Sequence, residues 1–131
     1  IGPEVIEAVA SAELRELQRR EVAYREGRPG VAIAGKTVLL VDDGLATGSS
    51  MRAAVAALRQ FGPARVIVAV PVGAEETCSA SGVGADELLC LRTPQPFSAV
   101  GQWYADFSQT TDEEVNTLLR AAAAASPGTK P

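Results

Sequence analysis

The chain has 131 residues, 47% of them hydrophobic and 21% charged, with a formal net charge of -4 and no histidine. This balance fits one globular domain with a real core and offers no basic surface for nucleic acid. The absence of His excludes His-based triads, His general bases and most catalytic zinc sites.

Residues 3–25 read as a helix opened by Pro3, a residue suited to the first turn. Val5, Ile6, Val9, Ala12, Leu14 and Leu17 make an imperfect apolar stripe. The charged run from Glu13 to Arg25 leaves the outer face to solvent or to a second copy in a homo-oligomer. Gly27, Pro29 and Gly30 end the helix. Thr37 to Val41 is a nearly continuous apolar run, expected as a strand buried on both faces. Ser49 to Phe61 is helical, with Met51, Val55 and Leu58 as its apolar positions and Gly62-Pro63 as its stop. Arg65 to Val72 is a second buried strand. Strand, helix and strand make a βαβ unit, which predicts a parallel sheet with a right-handed crossover.

Glu75 to Ser81 reads as a short helix leaving through Gly82-Val83-Gly84, and Glu87 to Leu91 as a third strand. Residues 93–111 carry Pro94, Pro96, Phe97, Trp103, Tyr104 and Phe107, and are expected to be partly irregular at the sheet rim. Thr111-Asp112-Glu113-Glu114 is a capping box for a helix from Asp112 to about Ala124. The reading is an α/β fold, a parallel sheet with flanking helices, forming one domain over residues 1–125 with a disordered tail at 126–131. Cys78 and Cys90 lie too far apart for a CxxC motif and are expected as buried, reduced thiols of a cytoplasmic protein. No apolar run is long enough to span a bilayer, and no basic-then-apolar leader precedes the first helix. The start at Ile1 without Met suggests a remnant of something longer.

Chemistry concentrates in Val38-Leu39-Leu40-Val41-Asp42-Asp43-Gly44-Leu45-Ala46-Thr47-Gly48-Ser49-Ser50. Asp42 and Asp43 stand at the carboxyl end of a parallel strand, the edge where ligands sit in open α/β sheets. Two adjacent carboxylates there call for donors or a cation. A ribose diol donates two hydrogen bonds, and Mg2+ takes carboxylate or water oxygens. Gly44 to Ser50 then enters a helix. Its small residues let backbone N–H groups converge, Thr47, Ser49 and Ser50 add hydroxyls, and the helix N-terminus adds partial positive charge. A phosphate monoester can bind there without a lysine. Phosphate and diol side by side match a ribose 5-phosphate. The plainer alternative is a turn started by Asp42 and a helix capped by Ser49, with no ligand. The coincidence of the acidic pair with the Thr-Gly-Ser-Ser run favours the ligand.

At these residues the sequence resembles the type I phosphoribosyltransferase signature: apolar residues, two acidic ones, a short variable stretch, then Thr-Gly-x-Ser/Thr. More loosely, Glu16-Leu17-Gln18-Arg19-Arg20-Glu21, Tyr24-Arg25 and the stretch from Phe97 to Glu114, with Val100-Gly101-Gln102-Trp103-Tyr104, are similar to bacterial phosphoribosyltransferase-domain proteins. The resemblance implies that Asp42 and Asp43 contact the ribose hydroxyls of phosphoribosyl pyrophosphate, directly or through Mg2+. It implies that Gly44, Ala46, Thr47, Gly48, Ser49 and Ser50 wrap the 5-phosphate. It implies transfer of the phosphoribosyl group to an acceptor base, with Asp106 a further metal contact and Phe97 and Trp103 candidates for a base pocket. The same binding without turnover would make a regulatory module that senses phosphoribosyl pyrophosphate. Two departures stand out. Purine-salvage members carry an acidic residue where this chain has Ala46. The pyrophosphate loop and further strands that precede the signature in the family are not found, so the chain looks like the later part of that fold.

The aromatic segment also reads simply as packing over the sheet edge, and Arg19, Arg20 and Arg25 as a solvated helix face. A signalling receiver domain also begins with a strand ending in Asp-Asp, but its required phosphoacceptor and lysine find no match in Asp86, Lys36 or Lys130.

Overall fold

The computed structural model describes residues 2–79 and 82–125. The tail expected at 126–131 and the end of the short helix expected to reach Ser81 lie outside these residues. In chain order they form α1 (Pro3–Arg25), β1 (Thr37–Val41), α2 (Ser49–Arg59), β2 (Arg65–Val72), α3 (Glu75–Ser79), β3 (Glu87–Arg92), a 3-10 turn (Val100–Trp103) and α4 (Asp112–Ala125). The described residues divide into two compact units, one within 31–107 and the other made of 2–30 with 108–125. No helix among the described residues is long and apolar enough to cross a membrane.

In the first unit the strands pair in the order β1-β2-β3, all parallel. Val38 aligns with Val66 and Val41 with Ala69, while Val68 aligns with Leu88. Alternation along β2 sends Val66, Val68, Val70 and Val72 to one face, where all are buried. Met51 and Val55 of α2, with Leu45 and Val83, complete that core. A fully buried Val contributes about 1.5–3 kcal/mol, so this row is a principal source of the unit's stability. At the mouth of β2, Asp86 Oδ2 accepts the Val66 N–H at 2.6 Å and meets Arg59 at 3.0 Å. The Arg59 guanidinium and that N–H together hold the Asp86 carboxyl below its usual range.

β1 departs from expectation. Val38 and Leu40 are half-buried, Leu40 against the core, but Leu39 is 58% and Val41 69% exposed. It is therefore not a strand buried on both faces. β1 ends the strand order, and α2 covers the side carrying Leu40. On the opposite face Leu89 and Leu91 of β3 are exposed as well. α2 also ends two residues before the expected Phe61. Its last turn tightens, with the Phe61 N–H on the Leu58 carbonyl at 3.0 Å.

The cysteines overturn the expectation of reduced thiols. Cys78 and Cys90 form a disulfide between α3 and β3, their Cα atoms 6.1 Å apart. Laying β3 beside β2 carries Cys90 back to the helix that follows β2, and twelve residues of separation hide that proximity. The argument for a cytoplasmic setting rested on free thiols and loses that support.

The second unit is the α1–α4 pair. The capping box is formed: the Thr111 N–H donates to Glu114 Oε2 at 2.8 Å, and the Glu114 N–H to Thr111 Oγ1 at 3.2 Å. Asp112 accepts from Arg19 and from the Tyr24 hydroxyl, each at 2.7 Å. Arg19 and Arg20 both grip Glu16, whose carboxyl falls to about 2 under their hydrogen bonds. Arg120 pairs with Glu26. These pairs are exposed and individually weak. They show that Arg19 and Arg20 are engaged in a structural network.

Candidate functional site

β1 delivers its carboxyl end to a loop whose floor is buried and whose rim is open. Gly44, Leu45 and Gly48 are buried, while Asp42, Asp43, Ala46, Thr47, Ser49 and Ser50 are exposed. Leu45 anchors the floor. Its N–H donates to the Val72 carbonyl at 2.9 Å, and its own carbonyl accepts the Ala74 N–H at 2.8 Å. A parallel bridge to Gly73 thus extends the sheet past the ends of β1 and β2.

The acidic doublet precedes this anchor. Asp42 Oδ1 accepts the Asp43 N–H at 2.9 Å, which folds the turn on itself. The Tyr104 hydroxyl donates to the Asp43 carbonyl at 2.5 Å. Both aspartates are exposed, and such residues could hold Mg2+, an ion that keeps several waters and is held through one or two carboxylates plus ligand oxygens. Among the described residues no three His, Cys, Asp or Glu side chains gather as a metal-binding group. Asp106 therefore does not join Asp42 and Asp43 in a ready-made set.

The hydroxyl-rich stretch follows the anchor. Gly48 takes φ 72° at the start of α2, and no side chain caps that helix. The expectation that Ser49 could serve as a cap is not met. Its hydroxyl instead accepts from Thr47 Oγ1 at 3.1 Å and from Arg52 at 3.2 Å. Thr47 Oγ1 accepts the Ser49 N–H at 3.4 Å, and among the described residues no partner meets the Ser50 and Met51 amides, groups of the kind that receive an anion. Gly48 has no substitute here. A Cβ would lie 2.9 Å from Thr77 Cγ2 and 3.2 Å from Val83 Cγ1, on a backbone conformation L-residues avoid.

A separate cavity of about 290 Å³ opens beyond the carboxyl ends of β2 and β3, lined by Ala74, Glu75, Gln95, Pro96 and Phe97 among others. Gln95 donates to Glu75 across it. Phe97 stacks on Trp103 with ring centroids 6.4 Å apart and planes 19° apart. Phe97 thus lines the cavity, whereas Trp103 backs it from behind Phe97.

Sequence reasoning missed Arg52, Thr77 and Tyr104. Arg52 had a signal: three residues after Ser49 on a helix, it returns to the same face. Thr77 donates to the Ala46 carbonyl at 2.6 Å from 31 residues away, and Tyr104 reaches Asp43 from 61 away. Neither had a local signal.

The family model for the phosphoribosyl transferase domain matches residues 3–95. Two Mycobacterium tuberculosis proteins are 42% identical over 117 residues: "Putative phosphoribosyl transferase MT0597" of strain CDC 1551 / Oshkosh and "Putative phosphoribosyl transferase Rv0571c" of strain ATCC 25618 / H37Rv. The match covers 89% of this chain and 26% of each of theirs, so the chain spans about a quarter of the length of these curated relatives. The crystal structure of TT1426 from Thermus thermophilus superposes with a TM-score of 0.73 at 43% identity, covering 91% of this chain and 57% of that one.

Proposed function

We propose, for a chain that belongs to the phosphoribosyl transferase domain family, that the loop from Asp42 to Ser50 binds the ribose 5-phosphate portion of phosphoribosyl pyrophosphate. The observation that carries this reading is the loop's division: two exposed aspartates before buried Leu45, and a helix start without a side-chain cap after it. The amides at the start of α2, with the hydroxyls of Thr47, Ser49 and Ser50, receive the 5-phosphate, and Arg52 adds positive charge beside Ser49. Asp42 and Asp43 accept hydrogen bonds from the ribose diol. Their exposed carboxylates also suit Mg2+, which when bound would neutralise pyrophosphate charge.

The whole protein then transfers the phosphoribosyl group. A nitrogen lone pair of the acceptor bonds to the anomeric carbon as the bond to the pyrophosphate oxygen breaks and pyrophosphate leaves. Positive charge develops on the sugar, and carboxylates beside the ribose favour it. The cavity beside Phe97 is the place for a flat acceptor, since the ring offers an apolar face and the Gln95–Glu75 pair a polar edge.

Titration calorimetry with phosphoribosyl pyrophosphate and Mg2+ tests the reading. Asp43→Asn removes one charged acceptor and should weaken Mg2+-dependent binding roughly tenfold or more. Unchanged affinity in both Asp42→Asn and Asp43→Asn would refute the assignment. Pyrophosphate release with a panel of bases distinguishes a transferase from a sensor.

A further inference from the structure

We infer that the two halves of the ligand loop are braced independently, Tyr104 setting the carboxylates that select the sugar and Thr77 setting the cradle that holds the phosphate. The inference rests on the site reading above and adds two positioning residues to it.

The independence comes from Leu45. It is 2% exposed and tied through both of its backbone polar groups to the strand edge at Val72 and Ala74. With that residue fixed, the stretch on either side of it is placed by the contacts of its own side. Each side has its own support. Before Leu45, the Tyr104 hydroxyl holds the Asp43 carbonyl. The two methyls of Val100 stand 2.5 and 2.8 Å from where a Cβ on Gly44 would be. Both supports come from the segment around the 3-10 turn. After Leu45, Thr77 Oγ1 holds the Ala46 carbonyl at 2.6 Å, and its Cγ2 abuts the Cα of Gly48 closely enough to exclude a side chain there. Thr77 thus meets both ends of Ala46-Thr47-Gly48 from α3, which the Cys78–Cys90 disulfide fastens to β3. Neither hydroxyl belongs to the loop itself. Each acts by fixing a carbonyl, and through it the neighbouring carboxylate or amides.

The consequence is a separation of selectivity from affinity. Calorimetry of the full chain with ribose 5-phosphate, 2-deoxyribose 5-phosphate and inorganic phosphate measures it. The deoxy sugar lacks one hydroxyl of the diol, so the affinity ratio of the two sugars reads the carboxylate grip alone. Wild type should prefer ribose 5-phosphate. Tyr104→Phe should cut that ratio about two- to tenfold, the worth of one neutral hydrogen bond, and leave inorganic phosphate unchanged. Val100→Ala removes no polar group and should move the ratio in the same direction, which covers the case that Tyr104→Phe fails to fold. Thr77→Val should weaken all three ligands by a common factor of about two to ten and preserve the ratio. The inference is overturned if Tyr104→Phe weakens all three ligands equally, as a merely structural role would. It is also overturned if Thr77→Val shifts the ratio. If wild type binds none of the three, the site reading falls and takes the inference with it. If wild type binds and discriminates but neither Tyr104→Phe nor Val100→Ala moves the ratio, only the inference falls.

Discussion

Gly48 and Gly62 form a matched pair that isolates what the ligand loop demands of its backbone. Both take positive φ, 72° and 65°. An L-residue in that region costs about 1–2 kcal/mol. A Cβ on Gly62 would meet nothing within 4 Å, so Gly62→Ala carries the conformational cost alone. A Cβ on Gly48 would also press on Thr77 and Val83 at 2.9 and 3.2 Å. Overpacking of that kind adds about 1–3 kcal/mol. At roughly 4 °C per kcal/mol for a chain of this size, Gly62→Ala should lower Tm by about 4–8 °C and Gly48→Ala by about 8–20 °C. Ligand affinity separates them further. Gly48→Ala moves the first amides of α2, and losing one charge-assisted contact weakens phosphoribosyl pyrophosphate roughly ten- to a hundredfold. Gly62→Ala leaves affinity at the wild-type value. Calorimetry well below both melting points, alongside thermal unfolding, makes the comparison. Equal Tm losses in the two variants, or weakened binding in Gly62→Ala, would refute the reasoning.

The disulfide closes a twelve-residue separation, so reducing it, or Cys78→Ser with Cys90→Ser, should cost about 3 kcal/mol by chain entropy. Thiol titration of the non-reduced chain should find no free sulfhydryl, and two reactive thiols would contradict the pairing. In the helical unit, Glu16 titrates at about 2 rather than 4.5. Its folded value is the depressed one, so its stabilising contribution is complete above 4.5 and disappears as pH falls through about 2. The group is exposed, so the contribution is small and salt-sensitive. Carboxyl NMR should place the Glu16 midpoint near 2 and move it up in high salt; a midpoint near 4.5 in dilute buffer would rule out the Arg19 and Arg20 grip.

Features encoded by neighbouring residues were legible. The apolar run of β2, the Gly62-Pro63 stop and the Thr111–Glu114 capping box are local signals for the elements found there, though β2 buries only one face fully. The place of the candidate loop between β1 and α2 was legible too, because strand, acidic pair and hydroxyl run are contiguous. What escaped depends on chain segments meeting at a distance. Thr77 and Tyr104 are ordinary residues until the fold brings their hydroxyls to loop carbonyls. Cys78 and Cys90 follow the same logic. β1 was misread for a different reason. Apolar residues at both parities raise the expectation of cover on both faces, yet composition says nothing of what lies opposite Leu39 and Val41.

The double tether of Leu45 has a consequence for hydrogen exchange. Its amide is committed to a strand-edge carbonyl in the core of the unit, so deuterium should enter there only when the sheet itself opens. The Ser50 and Met51 amides at the head of α2 have no such commitment and should exchange quickly in the free protein. A bound phosphate would slow those amides while leaving Leu45 as slow as before. The loop would then read as a rigid root carrying a responsive tip, with ligand occupancy written in the exchange rates of a few adjacent amides.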